Sequence, residues 1–423
     1  MNNYLESLNA KLKSERLAAL AELIALEKAG KLEKPSACGS VNNHIHSTYS
    51  FSPYSPIKAL WMARAAGLIT AGIMDHDSVG GCDEFVKAGE ISKMAVTCGF
   101  ETRVSVSGTP LEGRRLNNAD QISVAYVTLH GIPHQNFSMC EEFLAPFRAH
   151  RNDRNREMTK KLNDVIKPLN ITLDFDSDIK PISCSFDGGS VTERHILFAL
   201  SKKLMETFGK GEAIVSILRQ KLHMQLSAKI KALLMDTLNP YYEYDLLGAM
   251  KSDLLASFYI DATDECPHVT DFIAFAKRCG GIASYAYLGD VGISITGDKK
   301  TQKFEDDFIE LLFDNISSLG FNAVTYMPSR NTMAQLKRVM ALCDKHGFFQ
   351  ISGEDINTPR QSFICEALSK PEFSHLTQST WALIGHEQEA TKSLSNAMFS
   401  DETKSKYPSL KERIAHFESA AQK

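Results

Sequence analysis

Asn43-His44-Ile45-His46-Ser47-Thr48-Tyr49-Ser50 is the stretch whose reading decides the fold. It follows a polar lead-in containing Pro35 and Gly39, and a helical run begins just after it near Ser55. Side chains at i and i+2 of a strand share one face, so His44 and His46 point the same way. Two imidazoles at a strand end suit one transition-metal ion, although exposed strand histidines give the same pattern. Working outward, Pro56 to Gly67 reads as a helix and Leu68 to Met74 as a second buried strand, which ends in Asp75-His76-Asp77. A third strand, Met94 to Phe100, ends in Glu101. Three strand ends that carry ligand-type residues and are joined by helices fit a parallel β/α fold, whose sites lie at the carboxyl ends of strands.

The 423 residues suffice for one large domain with insertions or for two domains. A 43% hydrophobic and 23% charged composition is that of a globular chain, and a formal charge of -4 offers no basic excess for nucleic acid. No apolar run approaches the roughly 18 residues that span a bilayer, and Met1 to Ser14 lacks the apolar core of a signal peptide. Nine scattered cysteines with no Cys-x-x-Cys pair read as the reduced thiols of a cytoplasmic protein.

Leu5 to Lys31 carries Leu8, Leu12, Leu17, Leu20, Leu23 and Ile24 at helical spacing, with Gly30 as a stop. This added helix either packs on the body or lies between subunits of a homo-oligomer. The strand Ile122 to Leu129 runs into His130-Gly131-Ile132-Pro133-His134, and its two histidines either approach the site or stay at the surface. Ala149 to Leu169 reads as a basic helix, and Ile171 to Phe175 as a short strand. Thr192-Glu193-Arg194-His195 opens another helix, whose free N–H groups attract anions. Gly209 to Pro267 reads as mostly helix and shows no chemistry of its own. Three later strands end in Leu288-Gly289-Asp290, in Met327-Pro328-Ser329-Arg330, and in Gly353-Glu354-Asp355-Ile356-Asn357. The polar, helical tail from Pro371 says little. The predicted organisation is an N-terminal helix over 1–40, a barrel over 41–201 and 268–370, a helical insertion over 202–267 and a helical tail over 371–423.

As an ordered set, His44-x-His46, Asp75-His76, Glu101, Arg194-His195 and Gly353-Glu354-Asp355 resemble the PHP (polymerase and histidinol phosphatase) family, in its stand-alone branch with a helical insertion. The resemblance implies a distorted, TIM-like (β/α)7 barrel. It also implies one to three Zn, Mn or Fe ions at the carboxyl mouth and, for many members, hydrolysis of phosphomonoesters. One family metal position uses the residues matched here by His44, His46, Glu101 and Asp355, with His76 near enough to hold a second ion or a water. The departures fall elsewhere. Phe51 stands where the family's first motif has Asp, Ser123 and Tyr287 where it has His, and Asn357 ends its last motif.

The expectation is therefore a metal-dependent phosphoesterase with one tightly bound divalent ion and a small phosphorylated or anionic substrate. Arg194, His195 and Arg330 are expected to bind the anion. Asp75 is expected to accept a proton or to orient His76, and His195 to share in catalysis. His130, His134 and Asp290 are the alternative ligands should the missing positions be filled. A barrel that binds an anion or a partner without turnover is the second reading, and a one-metal hydrolase of another substrate the third.

Overall fold

The computed structural model describes residues 2–291 and 302–421. Seven strands follow one another in chain order around a single sheet: β1 (Val41–Ile45), β2 (Thr70–His76), β3 (Ala95–Ser105), β4 (Val124–His130), β5 (Ile282–Ala286), β6 (Ala323–Tyr326) and β7 (Phe349–Ser352). The bridge Ile45↔Ile356 and the Asn43 side chain, which donates to the Ser352 carbonyl at 2.8 Å, bring β1 to the last strand and nearly close a barrel. Residues 41, 45, 71 and 73 turn outward into the apolar layer, which leaves the alternate positions facing the barrel axis.

The predicted distorted TIM-like barrel is what forms, and its distortion is β4. This strand runs antiparallel to both β3 and β5. No helix separates β3 from β4, and a strand that returns without a crossover helix must pair antiparallel. The carboxyl end of β4 therefore points to the barrel floor, away from the ends of β1, β2 and β3. That end carries His130, paired with Gly99, and leads into His134.

The helices in chain order are α1 (Asn2–Ser7), α2 (Lys13–Lys28), α3 (Pro56–Ala65), α4 (Cys82–Ser92), α5 (Phe137–Ile166), α6 (Glu193–Phe208), α7 (Glu212–Gln220), α8 (Ala228–Met235), α9 (Tyr242–Phe258), α10 (Val269–Cys279), α11 (Ile309–Leu319), α12 (Met333–His346), α13 (Ser374–Lys392), α14 (Asp401–Lys406) and α15 (Leu410–Ala421). None is long and apolar enough to cross a membrane. The added N-terminal helix α2 lies on the body, where Arg16 grips the fully buried Glu84 of α4 with two guanidinium nitrogens and Arg64 does the same to Glu27.

Helices α5 to α9 share a second apolar cluster, with Met158, Leu162, Ile196, Leu200, Leu246, Met250 and Phe258 at its centre. A boundary at Lys202 cuts through α6, because the apolar face of that helix starts at Ile196. The predicted strand Ile171 to Phe175 does not form. The Asn163 side chain takes both backbone groups of Leu173, at 2.8 and 2.9 Å, and so occupies the bonds a neighbouring strand would need.

The C-terminal tail closes the barrel floor. Leu383 and Ala382 of α13 pack with Ile282, Ala323 and Phe349, the first inward residues of β5, β6 and β7. The buried Glu387 accepts from Thr97 Oγ1 at 2.7 Å, from the Cys98 N–H at 2.8 Å and from His134 at 2.9 Å. Buried Ser379, Thr380, His386 and Glu387 make this helix read as polar, although its inner face is core. Gly385 lets α13 pass so close to α15 that any Cβ there would overlap the Phe417 carbonyl.

Candidate metal centre at the barrel mouth

A bulge shapes the end of β1, which carries His44, with His46 just beyond it. Asn42 pairs with Ala71 but Ile45 with Ile73, so β1 spends one extra residue between them. On β2 and β3, His76 and Glu101 are direct partners in the parallel register. The Glu101 carboxylate is the meeting point: its Oε2 lies 3.2 Å from His76 Nδ1, 3.6 Å from His44 Nε2 and 4.0 Å from His46 Nε2. Asp355, in the loop after β7, brings Oδ1 to 3.1 Å from His46 Nε2. The His46 ring stacks on that of His76 at 4.7 Å. Ligand atoms of His44, His46 and Glu101 all lie within 4.8 Å of one another, the one such group among the described residues.

The donors suit a cation. Ser50 has one hydroxyl hydrogen, and Asp75 Oδ1 accepts it at 2.6 Å. Ser50 Oγ, 3.2 Å from His46 Nδ1, must then accept the imidazole proton, which leaves a bare lone pair on Nε2. That Nε2 is buried without a hydrogen-bond partner, and two carboxylates face it. Lone pairs crowded together in a buried site repel unless a positive charge lies between them. Two bonds of about 2.1 Å meeting near a right or tetrahedral angle hold donor atoms roughly 3.0–3.4 Å apart, which is close to the spacing seen.

Charge couples the same residues to one another. Burial alone would raise the Glu101 carboxyl, but the imidazoles of His76, His44 and His46 bring it down to about 2. Burial would also raise Asp355, yet His46, His44 and Arg194 hold it well below the usual range. Burial would lower His44, and the charge of Glu101 raises it above the ordinary histidine value instead. Burial pushes the His76 imidazole down to about 3, although the charge of Glu101 pulls the other way.

Asp75 does not orient His76. Its oxygens accept from the Ser47 N–H at 2.7 Å, from Ser47 Oγ at 2.6 Å and from Ser50 Oγ, and the side chain is buried. Its neighbour on the strand faces the opposite side, so Asp75 positions His46, through Ser50, rather than taking a proton from substrate. Asp75→Asn puts an amide where two hydroxyls donate, and is expected to weaken metal binding by about 10- to 100-fold. Competition against a chelator, read by metal content, checks this; an unchanged affinity would show that the Ser50 link does not matter.

His195 is the third residue of α6, where its Nδ1 accepts the Thr192 N–H at 3.0 Å. The ring proton therefore sits on Nε2, making it a donor and not a ligand, and burial drives the imidazole down to about 3. Phe51, in the position the family gives to Asp, stands edge-on to this ring at 5.0 Å and belongs to the helical cluster. Arg194 is the neighbouring residue whose charge reaches Asp355. Arg330 lies in the turn after β6, where Ser329 donates to Glu354 of the adjacent mouth loop at 2.7 Å. The substitute ligands do not join the group. His134 bonds to Glu387 at the floor, Asp290 Oδ1 accepts the Phe304 N–H at 2.6 Å, and buried His130 sits opposite Gly99, below Glu101. Tyr287 donates to Asp306 at 2.5 Å, and Asn357 donates to Asp355 at 2.7 Å.

Sequence reasoning missed a buried cationic cluster beside His76. Glu265 accepts from Arg103, from Arg151 at 3.2 Å and from Arg154 at 2.5 and 3.0 Å, and Arg151 also pairs with Asp77 at 2.7 Å. Arg103 was legible, since it follows Glu101 at i+2 on the same face of β3. Lys251 of α9, 3.7 Å from Glu193, carried no local signal.

No family model matches the chain, and no curated protein does. A solved structure shares the fold. A proposed metal-dependent phosphoesterase from Bifidobacterium adolescentis superposes with a TM-score of 0.51 at 17% identity, over 79% of this chain and 94% of that one. An amidohydrolase from Chromobacterium violaceum, whose structure holds sulfate and no metal, gives 0.49 at 17% identity over 77% and 90%. At such identity the likeness is one of fold.

Proposed function

We propose that the chain is a metal-dependent hydrolase of small phosphomonoesters, of the PHP type, that works with one divalent ion. The observation that carries this reading is the bare, buried Nε2 of His46 facing Glu101 and Asp355. His44, His46, Glu101 and Asp355 would hold the ion, with His76 as a further ligand. Such an ion supplies Lewis acidity and lowers the pKa of a bound water to about 7.

The protein's own groups do the rest. Arg194, the Nε2–H of His195 and Arg330 bind the anionic group, with Arg suited to paired contact with phosphoryl oxygens. Asp75 is buried with both oxygens engaged by Ser47 and Ser50, which leaves it the role of positioning His46. Phe51 and Tyr287 face the helical cluster and the Asp306 loop, which removes donors from any second or third metal position. The same observation favours the second reading, a barrel that binds an anion without turnover.

Metal analysis of the purified protein, followed by a phosphomonoester panel with Mn, Zn and Fe, separates the two. One ion per chain with low but metal-dependent turnover is expected. Two or three tightly bound ions would overturn the single-ion site, and full metal occupancy with no turnover on any substrate would establish the binding reading.

A further inference from the structure

Helix α9 reaches the mouth from outside the barrel, and two contacts fix how it lies. Tyr244 in its first turn packs against Phe51 at 6.2 Å, five residues past His46. Arg360, in the loop that follows Asp355, grips Asp245 through two nitrogens at 2.7 and 2.6 Å. α9 is thus clamped to both loops that carry metal-ligand residues. Lys251 lies seven residues beyond Tyr244, on the same helix face two turns along. Its side chain is one-third exposed, and its ammonium lies 3.7 Å from Glu193, the residue before Arg194.

Glu193 answers to Lys251, Arg103 and Arg151 together, so its single charge is divided among three cations. Arg194 has no ion pair among the described residues. Its charge acts on Lys251 and on Asp355, and Asp355 and Asp120 act in turn on Lys251. Burial and the nearby Arg194 hold the Lys251 ammonium below its ordinary value, so two like charges are kept near each other at the edge of the cluster. Two neighbouring cations, Lys251 lying 3.7 Å from Glu193 and Arg194 next to Glu193 in the chain, suit an arriving anion.

We propose that Lys251 and Arg194 form the phosphoryl-binding wall of the site, an assignment that rests on the reading of the chain as a phosphomonoester hydrolase. Lys251 supplies a point charge and Arg194 a planar fork, so that oxygens turned away from the ion meet both. The helical layer then sets specificity and does not merely cover the barrel.

The test titrates inorganic phosphate into the Mn-loaded full chain by calorimetry, with metal content measured on the same samples. Lys251→Met keeps the length of the stem and removes the charge. It is expected to weaken phosphate binding by about tenfold or more, with metal content and unfolding midpoint unchanged. Lys251→Arg should restore most of the affinity, and Arg194→Gln should lower it. Phosphate affinity in Lys251→Met equal to that of the wild type would overturn the wall alone, leaving the hydrolase reading intact if turnover persists. A wild-type chain that retains its metal but binds no phosphate would overturn both.

Discussion

Glu101→Gln is expected to empty the metal centre. The carboxylate lies within 4.0 Å of a ring nitrogen of each of His44, His46 and His76, and these imidazoles hold it ionised. The amide keeps the shape but loses the charge, and its nitrogen, which has no lone pair to give a cation, takes the place of one carboxylate oxygen. Loss of an outer-shell partner costs about 10- to 100-fold in metal affinity, so loss of this ligand should exceed that range. Metal content after dialysis against a chelator should fall from one equivalent to a trace, and metal-dependent hydrolysis should disappear with it. A Glu101→Gln protein that keeps a full equivalent would show that Asp355 and the histidines suffice, and the centre would have to be redrawn around them.

Glu265→Gln is expected to be strongly destabilising. Arg103, Arg151 and Arg154 are all buried and all pair with this carboxylate, and among the carboxylates that pair with them only Asp77 would remain. Removing one partner from a buried ion pair costs about 3–5 kcal/mol, because the other charge stays behind without compensation. Urea unfolding should show a loss of that size or a chain that fails to fold; a loss below about 1 kcal/mol would show that the arginines find water or other partners.

The same cluster should appear in the pH dependence. Burial would raise the Glu265 carboxyl, but the arginines bring it from 4.5 down to about 2. A folded-state value below the unfolded one stabilises fully above about pH 4.5, and that contribution drains away as pH falls toward 2. The wild-type urea midpoint should therefore drop across this window, and that of Glu265→Gln should drop less.

The alternation of strand and helix, the ligand-type residues after the strands and the His44-x-His46 pair were legible from the chain alone. They rest on local periodicity: a period of two aligns His44 with His46, and short connections carry one strand to the next. The PHP resemblance also picked out Asp355, because its motif lies within a few residues of the end of β7. Local pattern goes no further than neighbours in sequence.

Tertiary structure decided the rest. The reversed direction of β4 sent His130 and His134 toward the floor, a choice made by pairing with β3 and β5 and not by any residue within the strand. Asp75 was assigned to its neighbour His76, yet the fold turns it to Ser47 and Ser50 and through them to His46, since adjacent strand residues face opposite sides. Buried polar groups hid α13 as the barrel floor, because a helix whose inner face carries Thr380 and Glu387 shows no apolar stripe. Lys251 comes within 3.7 Å of Glu193 only because distant parts of the chain bring α9 beside the start of α6. Composition and spacing thus determined which residues could bind a cation and roughly where each strand would end. Which nitrogen is bare, which carboxylate is free and which cations gather around them depend on contacts between distant residues, and those exist only once the chain has folded.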